Sequence, residues 1–197
     1  MADRQLTLHD IADLRAYERE REAFRARIIR LKKLRRVQVG PVITFVFENR
    51  DTVRFQIQEM ARAERMLTDE AIQTELDTYN PIIPSPGQLS ATMFIELTSR
   101  AEMEHWLPRL VGVERSVELV VGDELRVQAG VEEAHAAQLT REEITASVHY
   151  LRFELEPVAV EAFAAGPVDL AIRHPAYREW TRLSDATRIE LLTDLEP

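Results

Sequence analysis

Residues 42–67 read VITFVFENRDTVRFQIQEMARAERML, and this stretch decides the fold. Its first six residues, Val42–Phe47, are all β-branched or aromatic, and none is charged. This run predicts a strand buried on both faces. The polar residues Glu48–Asp51 end this apolar run, and Asn49 or Asp51 can cap a following helix. The spacing after this corner is helical. The stretch therefore predicts a buried strand, a polar corner and a helix.

One face of the predicted helix carries an apolar stripe. Val53, Ile57, Met60 and Leu67 recur at helical steps, and Glu64 falls within the same stripe. An isolated buried charge is too costly to leave unpaired. The pattern therefore predicts that Glu64 is a buried carboxylate held by an arginine from another element.

The corner and the helix also concentrate polar side chains, and these form the candidate binding or partner surface. Hydrogen-bonding all of these long groups internally would be demanding. An internal network that fixes the core, a ligand or metal site and a partner surface are all compatible with the pattern. No catalytic residue is predicted. The candidate residues are Glu48, Asn49, Arg50, Gln58, Glu59, Arg62 and Glu64.

Composition limits the classes of protein to which the chain can belong. With 197 residues it is long enough for one large domain, and 45% hydrophobic and 30% charged residues are typical of a globular protein. The absence of cysteine excludes disulfides, zinc–thiolate sites, protein-ligated iron–sulfur clusters and cysteine nucleophiles. The sequence lacks a long apolar run and a signal peptide, so no membrane association and a cytoplasmic location are expected.

Charge is distributed unevenly along the chain. Residues 1–66 hold 15 basic and 10 acidic side chains, whereas residues 67–197 hold 10 basic and 24 acidic ones, and the net charge is −9. The predicted first helix ends in a basic run, which indicates a solvated face or a counterpart for the acidic C-terminal portion. Nucleic-acid binding through this helix is an alternative. The net negative charge of the chain argues weakly against a general affinity for nucleic acids. The run comprises Arg25, Arg27, Arg30, Lys32, Lys33, Arg35 and Arg36.

The order of the predicted elements favours the α+β class. Helices and strands follow one another without a repeat or a regular βαβ succession. We expect a single domain over residues 1–197, with a mainly antiparallel sheet of six or seven strands, helices packed over one face, and a long N-terminal helix over Leu8–Arg36. The alanine-rich segment Glu132–Glu143 is predicted to be a loop or a frayed helix.

A mixed nitrogen and oxygen metal site is an alternative that the sequence leaves open. His149 and His174 could join Glu59 and Glu64 in a site for iron, manganese or zinc, although spacing alone does not bring them together. The simpler interpretation is that His149 is a satisfied core histidine and that the ring of His174 caps a backbone group. No other cofactor is predicted, because glycine-rich phosphate loops and the HExxH and GxSxG motifs are absent.

Six segments together resemble an uncharacterised bacterial family, the domain of unknown function 3501. They are FENRDTV (47–53), IQEMARAER (57–65), ELDTYNPIIP (75–84), SATMFIEL (90–97), VHYLRF (148–153) and HPAY (174–177). The resemblance implies no established activity. Members of this family are often encoded beside rubrerythrin-like di-iron proteins and iron–sulfur oxidoreductase subunits. The resemblance therefore implies an accessory, partner-binding protein of a bacterial redox system that handles peroxide or transfers electrons. A homo-oligomer is also compatible with the sequence.

Overall fold

A computed structural model describes residues 4–122, 124–131 and 144–196. The segment Glu132–Glu143, predicted to be a loop or a frayed helix, lies outside the described residues. The α-helices of the described part are α1 (Leu14–Arg35), α2 (Arg50–Glu64), α3 (Asp69–Tyr79), α4 (Arg100–Trp106), α5 (Pro157–Ala165) and α6 (Asp185–Leu195). Three short 3-10 turns accompany them, at Leu8–Asp10, Asn80–Ile82 and Val113–Ser116.

The strands form two antiparallel sheets. One sheet has five strands in the order β1-β2-β3-β7-β6, and the other has four in the order β5-β4-β8-β9. The strands are β1 (Arg36–Val39), β2 (Ile43–Glu48), β3 (Gln88–Ile95), β4 (Val117–Val121), β5 (Leu125–Gln128), β6 (Gly130–Val131), β7 (Val148–Glu154), β8 (Val168–His174) and β9 (Tyr177–Arg182).

The main hydrophobic core lies between the two sheets. Phe45 and Phe47 of β2 and Phe153 of β7 are fully buried in it together with Leu119 and Leu170 of the smaller sheet. The rings of Phe47 and Phe153 have centroids 6.2 Å apart. The α+β class and the antiparallel pairing are confirmed. The long N-terminal helix is also confirmed, but it begins at Leu14 and not at Leu8, because residues Leu8–Asp10 form a separate 3-10 turn. The strands number nine among the described residues and divide into two sheets, where the sequence predicts one sheet of six or seven.

The outer face of the five-stranded sheet is covered by helices. Alternation along β2 places Ile43, Phe45 and Phe47 in the core and turns Thr44 and Glu48 to the other side, where they are also buried. The predicted burial of this strand on both faces is therefore confirmed. Burying the second face needs a layer above it, and the long helices α1 and α2 supply that layer.

Contacts between α1 and α2 are aromatic and ionic. Phe24 of α1 meets the edge of Phe55 of α2, with 5.6 Å between ring centroids. The guanidinium groups of Arg27 and Arg54 lie 5.0 and 4.9 Å from the centroid of the Phe24 ring, which adds cation–π attraction to the packing. In the described part of the chain, no helix is long and apolar enough to cross a membrane.

Candidate functional site

A groove of ≈ 610 Å³ separates α2 from the outer face of the five-stranded sheet. Its floor comes from strands β2, β3 and β7, and one wall comes from α2. Four half-buried apolar side chains line it, namely Phe55 and Met60 of α2, Phe94 of β3 and Val148 of β7. A volume of this size with apolar walls and a few polar groups is typical of sites for small organic molecules.

Glu48 is the polar group at the floor of the groove. It ends β2, and only 3% of its surface is exposed. Its Oε1 accepts a 2.8 Å hydrogen bond from the hydroxyl of Thr92 on the neighbouring strand. Its Oε2 is buried and has no hydrogen-bond partner within residues 4–122, 124–131 and 144–196. Glu48 therefore uses one carboxylate oxygen in the fold, and the acceptor capacity of the other oxygen is not used by a described residue.

Tyr150 of β7 and Gln56 of α2 complete the polar part of the floor. Burial raises the pKa of Tyr150, the neighbouring Tyr79 and Glu48 raise it further, and a hydrogen bond with Gln56 opposes this rise. Tyr150 thus keeps its phenolic proton over the physiological pH range.

Glu59 lies on the rim and is fully engaged by α1. The Arg21 guanidinium grips its two oxygens at 2.7 and 2.8 Å, and the Tyr17 hydroxyl donates a third bond of 2.7 Å. These donors, Arg21 foremost and Tyr17 next, lower the pKa of Glu59 to about 2 against the opposing effect of burial. Burial and the adjacent Glu59 charge raise the pKa of Tyr17. The Glu59 carboxylate therefore stays charged near neutral pH, and Arg21 and Tyr17 fix its position.

Arg62 and Glu64 form the rest of the rim on α2. Arg62 lies 3.8 Å from Glu59 and 3.7 Å from Glu18, distances that give charge attraction without a close hydrogen bond. The Nε of Arg62 is buried and has no hydrogen-bond partner in the described part of the chain. Glu64 is exposed.

Three of the seven candidate residues serve the fold and not the groove. Asn49 caps α2 by accepting a 3.0 Å bond from the Thr52 amide, as the sequence predicts. Arg50 pairs with Asp10 at 2.5 Å. The amide of Gln58 is fully buried and holds the backbone of Ala12 through bonds of 2.7 and 3.1 Å. Glu48, Glu59, Arg62 and Glu64 line the groove together.

The predicted burial of Glu64 is wrong. The buried side of α2 carries Val53, Ile57, Gln58 and Ala61. The helix ends at Glu64, and Arg65 adopts the left-handed conformation with φ 54°. Leu67 therefore lies beyond the end of the helix and is not part of its apolar face. Glu64 lies at the helix end, outside the buried side of α2, and is exposed.

The four residues of the alternative metal site do not meet. His149 is buried on the core side of β7, where its Nε2 lies 3.0 Å from the Thr145 hydroxyl and 2.9 Å from the Ala146 carbonyl. Glu59 and Glu64 lie beyond the opposite face of the sheet. No group of three or more potential metal ligands occurs among residues 4–122, 124–131 and 144–196. The interpretation of His149 as a satisfied core histidine is confirmed.

His174 also has the structural role that the simpler interpretation predicts. Its Nε2 bonds to the Val111 carbonyl at 3.1 Å, and its Nδ1 accepts the Ala176 amide at 3.3 Å. Both ring nitrogens are thus used to hold the turn between β8 and β9.

Part of the basic run of α1 is paired with acidic residues. Arg35 is fully buried and binds Asp194 of α6 through two bonds of 2.7 and 2.8 Å, with Glu190 at 3.0 Å. The predicted counterpart in the acidic C-terminal portion is confirmed for this residue. Arg27 and Arg36 pair with Asp51 and Glu96.

Sequence reasoning missed the sheet side of the groove. Thr92, Phe94, Val148 and Tyr150 were not predicted to line a site. Alternation along β3 carried a usable signal, because it separates Thr92 from the core residue Met93. The alternation does not give the register between β2 and β3, and this register is what places Thr92 beside Glu48.

Comparison with known proteins places the chain in a family. The family model described as "Protein of unknown function (DUF3501)" matches residues 5–195. The chain belongs to this family. A similar solved structure is the crystal structure of a novel protein of unknown function from Burkholderia pseudomallei K96243, with a TM-score of 0.89, 36% identity, and coverage of 98% of this chain and 100% of the other. Among curated proteins, none matches. The family membership expected from the six segments is confirmed.

Proposed function

We propose that this protein is a cytoplasmic binding protein that takes a small organic ligand in the groove between α2 and the five-stranded sheet. The observation that carries the proposal is the free oxygen of Glu48. Glu48 lines the groove of ≈ 610 Å³, and its buried Oε2 has no hydrogen-bond partner among the residues that the structure describes. Leaving such a group unsatisfied costs about 1–3 kcal/mol. A ligand that donates a hydrogen bond there removes this cost.

The groove residues favour binding over acid–base catalysis. Glu59 is held as a carboxylate by Arg21 and Tyr17, with its pKa lowered to about 2, so it carries no proton near neutral pH. Glu48 and Tyr150 stand on rigid strands and can fix the orientation of a ligand. Phe55 and Phe94 offer apolar surface for the body of that ligand.

The test is a ligand screen followed by calorimetry. Purified protein is melted with a panel of small amines, alcohols, amides and acids, and each compound that raises the melting temperature is titrated. We expect compounds with an ammonium or hydroxyl donor to bind, and we expect Glu48→Gln to weaken them about tenfold or more, since a charged acceptor is lost.

The matched control is Glu114→Gln. Glu114 is also a buried glutamate with an unpartnered Oε2, and it lies outside the groove. Binding should survive in this variant. A panel without any binder, or binders that are equally weakened by both substitutions, would overturn the proposal.

A second candidate function is the redox accessory role, which the family resemblance supports. Just after the C-terminal end of α2, Leu67 is 82% exposed, and Glu64 and Arg62 precede it in the chain. A single exposed apolar side chain does not by itself mark an interaction surface, so the family resemblance carries this second proposal. We propose that an iron–sulfur oxidoreductase subunit or a rubrerythrin-like protein binds at this end of α2.

A pull-down with the proteins encoded beside the gene tests this second candidate. Leu67→Ser and Arg62→Ala should each reduce capture while leaving the melting temperature nearly unchanged. Ile189→Ser is the control, because Ile189 is 60% exposed on α6, away from this surface. Capture that is unaffected by Leu67→Ser and Arg62→Ala would contradict the assignment.

A further inference from the structure

A second, basic pocket adjoins the groove. Its volume is ≈ 290 Å³, and it lies along the last turns of α1. Lys32 and Phe55 line both cavities, so the two meet at these side chains. The basic pocket is further lined by Ile28, Ile29, Arg25, Lys33 and Arg36.

The charges of this pocket are only partly neutralised. Arg36 pairs with Glu96 at 3.1 Å. Arg25, Lys32 and Lys33 form no ion pair with any residue in the described part of the chain. Other basic residues of the same helix, such as Arg27 and Arg35, are paired. Three basic residues of α1 that form no ion pair in the described part of the chain thus line the pocket that continues the groove, whereas Arg15, Arg19 and Arg30 of the same helix do not line it.

The two cavities are lined by groups of opposite charge. The groove is lined by Glu48, whose buried Oε2 has no hydrogen-bond partner among the described residues, and the basic pocket is lined by Arg25, Lys32 and Lys33. Phe55 and Lys32 line both cavities, so an apolar surface continues from one into the other. A molecule that uses both cavities therefore carries a positive group for the first, a negative group for the second and an apolar part against Phe55.

We infer that the ligand of the groove is elongated, with an ammonium group at Glu48, an apolar middle against Phe55 and an anionic end at Lys32, Lys33 and Arg25. The inference rests on the proposed binding function and specifies its ligand class. The anionic end is a phosphate or a carboxylate, since ammonium and guanidinium groups bind both through charge-assisted hydrogen bonds. The apolar middle must reach from one cavity into the other.

Simple bifunctional probes test the inference directly. Calorimetric titrations compare hexylamine, hexyl phosphate, 6-aminohexanoate and 6-aminohexyl phosphate on the full chain. We expect at least one of the two aminohexyl acids to bind about tenfold tighter than hexylamine, because the anionic end gains charge-assisted bonds. Comparison of the two acids distinguishes a carboxylate site from a phosphate site.

Variants assign each end of the probe to its cavity. The double substitution Arg25→Gln with Lys33→Gln changes residues that line only the basic pocket, so it should reduce the gain from the anionic end severalfold and leave hexylamine binding unchanged. Glu48→Gln should weaken hexylamine and leave hexyl phosphate unchanged. Arg30→Gln is the matched control, because Arg30 is an exposed basic residue of the same helix that does not line the pocket. It should change neither.

The outcomes separate this inference from the proposed function. If hexylamine binds through Glu48 and neither acid gains affinity, the inference fails and the binding function stands. If the full gain persists in the Arg25 and Lys33 double variant, the anionic end lies elsewhere and the inference also fails. If no probe binds, the ligand class is wrong, and the binding function fails with it only when the wider screen is empty as well.

Discussion

Two glutamates of the groove differ in how their oxygens are satisfied. Glu59 receives three short hydrogen bonds from Arg21 and Tyr17, whereas Glu48 receives one from Thr92. The difference follows from which α1 side chains meet each residue. Arg21 and Tyr17 bond to the carboxylate of Glu59, whereas Arg35 donates to the backbone carbonyl of Glu48 and not to its carboxylate. Glu59 therefore stabilises the helical layer, and Glu48 keeps one carboxylate oxygen without a partner among the described residues.

Glu59 should make stability depend on pH in acid. Its folded pKa of about 2 is below the ordinary value of 4.5, so its stabilising effect is full above pH 5 and is lost as pH falls towards 2. We expect Glu59→Gln to lower the free energy of unfolding by roughly 1–3 kcal/mol at pH 7, allowing for solvent screening, and by almost nothing near pH 2. Urea melts at both pH values measure this. Glu22→Gln, an exposed change on α1, should show no such difference.

Glu64 should be nearly irrelevant to stability. Because it is exposed, Glu64→Ala should change the free energy of unfolding by less than about 0.5 kcal/mol. Its charge does raise the pKa of Glu75, whose burial raises that pKa first. Removing the charge should therefore lower the pKa of Glu75, which NMR titration can follow. If Glu64→Ala lowered the melting temperature by several degrees, this result would contradict the exposed position of Glu64.

At the scale of elements, one buried ion pair joins the first helix to the last. Arg35 of α1 binds Asp194 of α6 through two bonds, and burial raises the pKa of Asp194 even though Arg35 favours its charged form. Because desolvation offsets much of the attraction, the intact pair adds little net stability, but breaking it strands a buried charge.

Arg35→Met should therefore be costly, and a second substitution should repair part of the damage. We expect a loss of about 3–5 kcal/mol for Arg35→Met, because Asp194 is left unpaired. Adding Asp194→Leu should recover a large share of it. Guanidinium melts of the two variants and the parent measure both effects. A double variant that is less stable than Arg35→Met alone would contradict this account.

Gln58 ties the start of the chain to α2. Its buried amide bonds to both backbone groups of Ala12, at 2.7 and 3.1 Å. Gln58→Ala should cost about 1–3 kcal/mol, because two backbone groups lose their partner. This result differs from the expectation for a partner-binding residue, which would leave folding intact. Gln56→Ala, a half-buried glutamine of the same helix, is the control for thermal melts and should cost less.

At the scale of the molecule, Tyr177 connects the two sheets. Its hydroxyl donates to the Val39 carbonyl at 2.7 Å and accepts the Val42 amide at 3.2 Å, across the turn between β1 and β2. Gly40 in that turn has φ +68°, and a side chain there would collide with the Tyr177 ring. Tyr177 of the HPAY segment (174–177) thus links the two sheets by hydrogen bonds.

Tyr177→Phe should loosen this connection without changing either sheet. We expect a loss of about 1–3 kcal/mol, or several degrees in melting temperature for a chain of this length, since two buried backbone groups are left unsatisfied. Thr181→Val removes the exposed bond to the Gln38 carbonyl at 2.7 Å and should cost less. Equal costs for the two variants would mean that burial at Tyr177 is unimportant.

The whole molecule should bind nucleic acid only weakly. Its net charge is −9, and three arginines of the basic run are already paired with acidic residues. We expect no affinity tighter than the non-specific range of roughly 10⁻⁴ to 10⁻⁶ M in fluorescence titrations with DNA and RNA. Nanomolar binding that weakens steeply with salt would contradict this prediction.

The sequence by itself determined the class, the buried strand, a helix cap at Asn49 or Asp51, and the family. These features depend on local periodicity, on backbone capping within a few residues, or on the segments that carry the resemblance. The roles of His149 and His174 were also predictable, because a histidine in an apolar strand or a tight turn is most often satisfied by nearby backbone.

Only the tertiary structure decided which polar residues form a site. Glu48 and Thr92 are 44 residues apart along the chain and meet because β2 and β3 pair in one register. Gln58 and Glu64 share a helix, yet one is fully buried and the other exposed. A helical pattern shows which residues share a face, but the neighbouring elements decide whether that face is covered, and their placement depends on contacts between distant parts of the chain.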